Sequence, residues 1–77
     1  MKKAYYIFME EKNGKHFAFA DSIKTEENLL AQIRRYPNLK GVFLCETATQ
    51  SRQLAEQWNQ DYKNNGTYMY QIEPAIK

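Results

Sequence analysis

The sequence predicts an α+β domain of order β-β-α-β-α-β, with a four-stranded mixed sheet and two helices packed on one face. Three observations carry that expectation. Two aromatic-rich stretches flank Asn13-Gly14, a pair that favours a two-residue hairpin turn because both positions must take positive φ. Two later stretches place apolar residues at helical spacing behind capping residues. Short runs with strand-like patterning lie between and after those helices. The 77 residues supply surface for one core, so residues 1–77 are read as a single domain with 73–77 as a frayed tail.

The hairpin joins Ala4–Met9 to His16–Ala20 through polar extensions. Pairing Lys12 with Lys15 sets Glu11 against His16, Met9 against Ala18, Phe8 against Phe19 and Ile7 against Ala20. One face then carries Tyr6, Phe8, Phe17 and Phe19, and the other Tyr5, Ile7, Met9, Ala18 and Ala20. Both are apolar, so the pattern leaves undecided which face meets the core.

The first helix follows from Leu29, Leu30 and Ile33, with Tyr36 a turn further on. Thr25 is placed to cap it, Glu26 and Glu27 sit at the positive end of its dipole, and Arg34 and Arg35 at the negative end. Pro37 stops it. Leu39–Cys45 reads as a third strand, because Val42-Phe43-Leu44-Cys45 is apolar on both sides, as in a strand covered on two faces. In the second helix Thr47 and Gln50 have capping-box spacing, and Leu54, Ala55, Trp58 and Tyr62 form an apolar stripe. Asn64-Asn65-Gly66 supplies a left-handed stop, and Thr67–Ile72 is the expected fourth strand, ended by Pro74. Right-handed crossovers are expected from the second strand to the third and from the third to the fourth. Two helices are taken to be too few to cover both sides of the sheet, which leaves one face open or closed by another molecule.

Composition narrows the class. Eleven aromatic residues (6 Tyr, 4 Phe, 1 Trp) belong to a chain that folds. A lone cysteine permits no internal disulfide framework, which points to a reducing, cytoplasmic compartment. The apolar run after Met1-Lys2-Lys3 is too short for a signal peptide, and no stretch has the length to span a bilayer. A net charge of +2 does not by itself imply a polyanionic partner.

Chemistry-bearing residues are sparse. One His and one Cys cannot build a metal centre, and the neighbouring pairs Glu10-Glu11 and Glu26-Glu27 point in different directions. Cys45 reads as a small buried hydrophobe rather than a nucleophile, and His16 as a cross-strand partner of Glu11. Thr47–Ser51 reads as a cap rather than an anion site, since no glycine-rich loop precedes it. No metal, cofactor or catalytic residue is therefore expected.

Association with a protein, or with a second copy as a homodimer, is the favoured function. An uncovered apolar sheet face is an interaction patch, and Tyr suits interfaces because its ring is buried while its hydroxyl stays solvated. The candidate surface is Tyr5, Ile7, Met9, Tyr68 and Tyr70. The alternative is weak binding of single-stranded nucleic acid on the same face, with Lys2, Lys3, Lys12 and Lys15 as phosphate contacts. No consensus of a known RNA-binding sheet accompanies those lysines, and glutamates are interspersed among the cations.

The block Trp58-Asn59-Gln60-Asp61-Tyr62-Lys63-Asn64-Asn65-Gly66-Thr67-Tyr68 resembles the C-terminal part of small proteins encoded on conjugative transposons and related mobile elements of clostridia and other Gram-positive gut bacteria. The resemblance extends to the Tyr-rich first strand. It implies an accessory protein of a mobile element in a bacterial cytoplasm, and it carries no activity or binding residues with it.

Overall fold

In the computed structural model, residues 3–66 are described, and they run β1 (Ala4–Lys12), β2 (Lys15–Ile23), α1 (Glu26–Arg35), β3 (Leu39–Cys45) and α2 (Ala48–Asn65). The turn between β1 and β2 has Asn13 at φ 55° and Gly14 at φ 77°, the left-handed pair that this hairpin requires. Its register is the expected one, from Lys12 opposite Lys15 to Ile7 opposite Ala20.

β2 runs further than its composition suggests. Asp21 and Ser22 are poor strand formers, yet they pair with Tyr6 and Tyr5. The Asp21 carboxylate accepts from the Ser22 N–H at 2.8 Å and from Gln32 Nε2 of α1 at 2.9 Å. Ile23 is buried at the end of the strand, so tertiary burial overrides local preference.

Both helices start where the sequence places them. Thr25 Oγ1 accepts the Asn28 N–H at 3.1 Å, and Thr47 Oγ1 accepts the Gln50 N–H at 3.0 Å. Gln50 Oε1 in turn accepts the Glu46 N–H at 2.8 Å, so one residue ties the strand end to the helix start. Gly66 closes α2 at φ 74°, its N–H bonded to the Tyr62 carbonyl at 2.7 Å.

Among the described residues the sheet is three-stranded and antiparallel throughout, in the order β2-β1-β3. The expected fourth strand, Thr67–Ile72, lies outside the described residues. With β1 between them, β2 and β3 run in the same direction, and α1 carries the chain from one edge to the other.

The expectation of two helices on one face is corrected. Ile7, Met9, Phe43 and Cys45 pack with Ala55 and Trp58 of α2, whereas Phe8, Val42 and Ile23 pack with Leu29 of α1. Successive strand residues point to opposite faces, so the helices lie on opposite sides of the sheet. Among the described residues the three strands, about 4.8 Å apart, span about 10 Å between outer axes, close to the diameter of one helix. A sheet this narrow can be covered on both faces by two helices, and its strands are apolar on both faces accordingly.

Candidate functional site

The two covered faces differ in quality. On the α2 side Trp58 is fully buried and meets Phe43 edge-on, with ring centroids 4.8 Å apart at 70°. Ile7 and Met9 lie beneath it at 0% and 1% exposure, and Tyr5 is half-buried against the same cluster. Three of the residues expected on an open interaction face are thus under a helix, and the face they share is closed by α2. Tyr68 and Tyr70 lie outside the described residues.

The α1 side holds the aromatic residues in a row. Ring centroids are 6.1 Å apart from Tyr6 to Phe8, 5.4 Å from Phe8 to Phe19 and 6.2 Å from Phe19 to Phe17, with Tyr36 packing on Phe19 at 5.1 Å. The row is buried at Phe8 and ends in solvent at Phe17. Phe17 is 55% exposed, Leu44 53% and Leu30 45%, the large apolar side chains most exposed among the described residues. Register places Phe17 and Leu44 on the α1 side, and Leu30 belongs to α1 itself.

Sequence reasoning named Phe17 as part of a face but not as a binding residue, and assigned Leu30 and Leu44 to buried stripes. The helix period held the signal for Leu30: Leu29 and Ile33 define the buried line, and Leu30 sits about 100° away from Leu29. For Leu44 the sequence held no such signal, since it lies in a run that is apolar on both sides.

Lys12 and Lys15 stand opposite each other beside the turn, both exposed, on the same face as Phe17 by register. Lys3 precedes β1 at its far end, about 30 Å away along an extended strand of nine residues. The structure therefore does not gather these lysines, and Lys2 lies outside the described residues. Lys40 is already engaged: its Nζ is 3.0 Å from Glu11 Oε1, while His16 Nε2 meets Glu11 Oε2 at 2.8 Å. Hydrogen bonds from Lys40 first, and then from His16, hold the Glu11 carboxyl below its ordinary range. The expected Glu11–His16 pair is thus present, with Lys40 as a third member.

Cys45 is buried in the α2-side core, and desolvation pushes its thiol up, away from the reactive thiolate. The start of α2 is occupied by its own cap, since the Gln50 and Ser51 N–H groups bond to the Thr47 side chain and carbonyl. Among the described residues no three His, Cys, Asp or Glu side chains converge as a metal site would need, and no helix is long and apolar enough to cross a membrane.

No protein-family model, no curated protein and no solved structure matches the chain.

Proposed function

We propose that the chain is a non-enzymatic interaction module that takes a protein partner on the α1 side of its sheet, with Phe17 as the anchor. The observation that carries this reading is that, among the described residues, the three most exposed large apolar side chains, Phe17, Leu30 and Leu44, are all on that side. An exposed ring continuous with a buried aromatic row is already held in place by Phe19, so little side-chain freedom is lost when a partner covers it. Aromatic anchors of this kind dominate interface energetics. The mobile-element resemblance supplies the setting: an accessory protein of such an element, working in a bacterial cytoplasm.

The test is a photo-reactive amino acid placed at Phe17, and in a second variant at the exposed Gln57 of α2, expressed in a bacterial host that carries the chain naturally. A discrete protein adduct from position 17 that is missing from position 57 supports the reading. Adducts of equal strength from both positions, or an adduct with nucleic acid at position 17, would overturn it.

A further inference from the structure

The topology brings cations from separate elements to one end of the molecule. The Glu11 N–H donates to the Asn38 carbonyl at 3.0 Å, and Tyr36 packs on Phe19 with ring centroids 5.1 Å apart. The last turn of α1, with Arg34 and Arg35, is therefore held near the hairpin end of the sheet. Lys12 and Lys15 stand opposite each other at that end, beside the turn. All four side chains are exposed, and none of them forms an ion pair among the described residues.

Arg34 and Arg35 complement the negative end of the α1 dipole, so folding accounts for them. It does not account for the lysines, because like charges directly opposite on antiparallel strands destabilise the pair. By register both lysines lie on the α1 side, and Lys15 stands two residues, about 7 Å along the strand, from Phe17. The exposed Phe17 ring is thus bordered by cations of the hairpin on one side. Beyond Phe19 and Tyr36 it is bordered by those of α1. The nearest carboxylate along the strands is Glu10, directly opposite Phe17 and half-buried.

We propose that the partner of this surface is an acidic protein, whose carboxylates meet Lys12, Lys15, Arg34 and Arg35 around an apolar pocket that takes Phe17. The inference rests on the reading of Phe17 as an anchor and adds the charge of what the anchor meets. Cations around an apolar anchor steer encounter and reject partners of the wrong sign, while the anchor supplies most of the affinity. Single-stranded nucleic acid fits this surface less well. It needs successive exposed rings on which to stack its bases, whereas Phe19 and Tyr36 are half-buried and pack on each other. Glu10 would also face its phosphates, while a protein can place a hydrogen-bond donor there.

The test repeats the position-17 photo-crosslinking in the full chain carrying Lys12→Glu and Lys15→Glu. The protein adduct should fall about tenfold with the circular dichroism spectrum unchanged. Lys3→Glu with Lys24→Glu changes net charge equally at the far end of the hairpin, where Ala4 pairs with Ile23, and should leave the adduct intact. Lys12→Arg with Lys15→Arg should leave it intact as well. Mass spectrometry of the partner peptide should find Asp or Glu beside the cross-link. An adduct undiminished by the hairpin reversal, or weakened equally by the far-end control, would contradict the acidic partner and still leave Phe17 as an anchor. A nucleic-acid adduct, or a partner peptide without acidic residues, would contradict it too. No adduct from position 17 in the parent chain would instead remove the anchor, and this inference with it. Should the hairpin reversal unfold the chain, Lys12→Gln with Lys15→Gln carries the test with the same expected direction.

Discussion

Glu11 gathers the ionic contacts of the hairpin end, taking His16 from β2 on one carboxylate oxygen and Lys40 from β3 on the other. The His16 half of this arrangement could be read from the Asn-Gly register, because it depends on five residues of local chain. The Lys40 half could not, because β3 reaches β1 only through the tertiary fold, and in the sequence Lys40 groups naturally with Arg34 and Arg35. The pair and its third member have a pH consequence. Glu11 has its carboxyl lowered from 4.5 in the folded chain, so the folded state favours the ionised form. That contribution to stability is present above the unfolded value and is lost as pH falls through the lower folded value. Urea unfolding midpoints should therefore drop on acidification below about pH 4.5, and Glu11→Gln should flatten that part of the profile. An identical acid profile in the Gln variant would show that the carboxylate gains nothing from its partners. Cys45, by contrast, was legible at once, since a cysteine ending an apolar strand is most simply a core residue.

At the level of elements, what is local in the chain was legible. The hairpin register, the Thr25 and Thr47 caps and the Gly66 stop each depend on a few adjacent residues, and each occupies its expected place. The extension of β2 through Asp21 and Ser22 was not, because its cause is the burial of Ile23 beneath α1. Nor was the choice of faces by the helices. A hairpin apolar on both sides fits one covered face with an open patch as well as two covered faces, and only the tertiary packing of α1 and α2 decides between them. The link between α2 and β2 is the second tertiary feature that spacing does not reveal. Asn59 belongs to the block that carries the mobile-element resemblance, yet its visible work is structural: it satisfies both backbone groups of Ala18. Asn59→Ala should cost about 1–3 kcal/mol by leaving those groups under a helix with poor access to water. Asn59→Asp should cost more, because a carboxylate would replace the donor facing the Ala18 carbonyl. Equilibrium urea unfolding measures both, and an Asp variant as stable as the parent would remove Asn59 from this role.

For the whole molecule, the placement of one helix on each face moves the available surface. A single-sided arrangement would have left Tyr5, Ile7 and Met9 in solvent as the working face. In the two-sided one, α2 seals that face around Trp58, and α1, ten residues to the eighteen of α2, leaves Phe17 and Leu44 uncovered at opposite edges of its own. The proposed partner surface is accordingly the part of the α1 side around Phe17. Tyr5, Ile7 and Met9, expected on an open face, instead lie against α2, one residue of the strand alternation away from the exposed Phe17 and Leu44.

The central claim is that the exposed large apolar side chains lie on the α1 side, while the Ile7, Met9 and Trp58 cluster is sealed under α2. It is tested most directly by paramagnetic relaxation of side-chain protons by a soluble, uncharged gadolinium chelate. The account predicts strong relaxation at Phe17 and Leu30, with Ile7, Met9 and Trp58 protected at the same chelate concentration. Strong relaxation at Ile7 and Met9 with Phe17 protected would contradict it, and would return the working surface to the Tyr5 face.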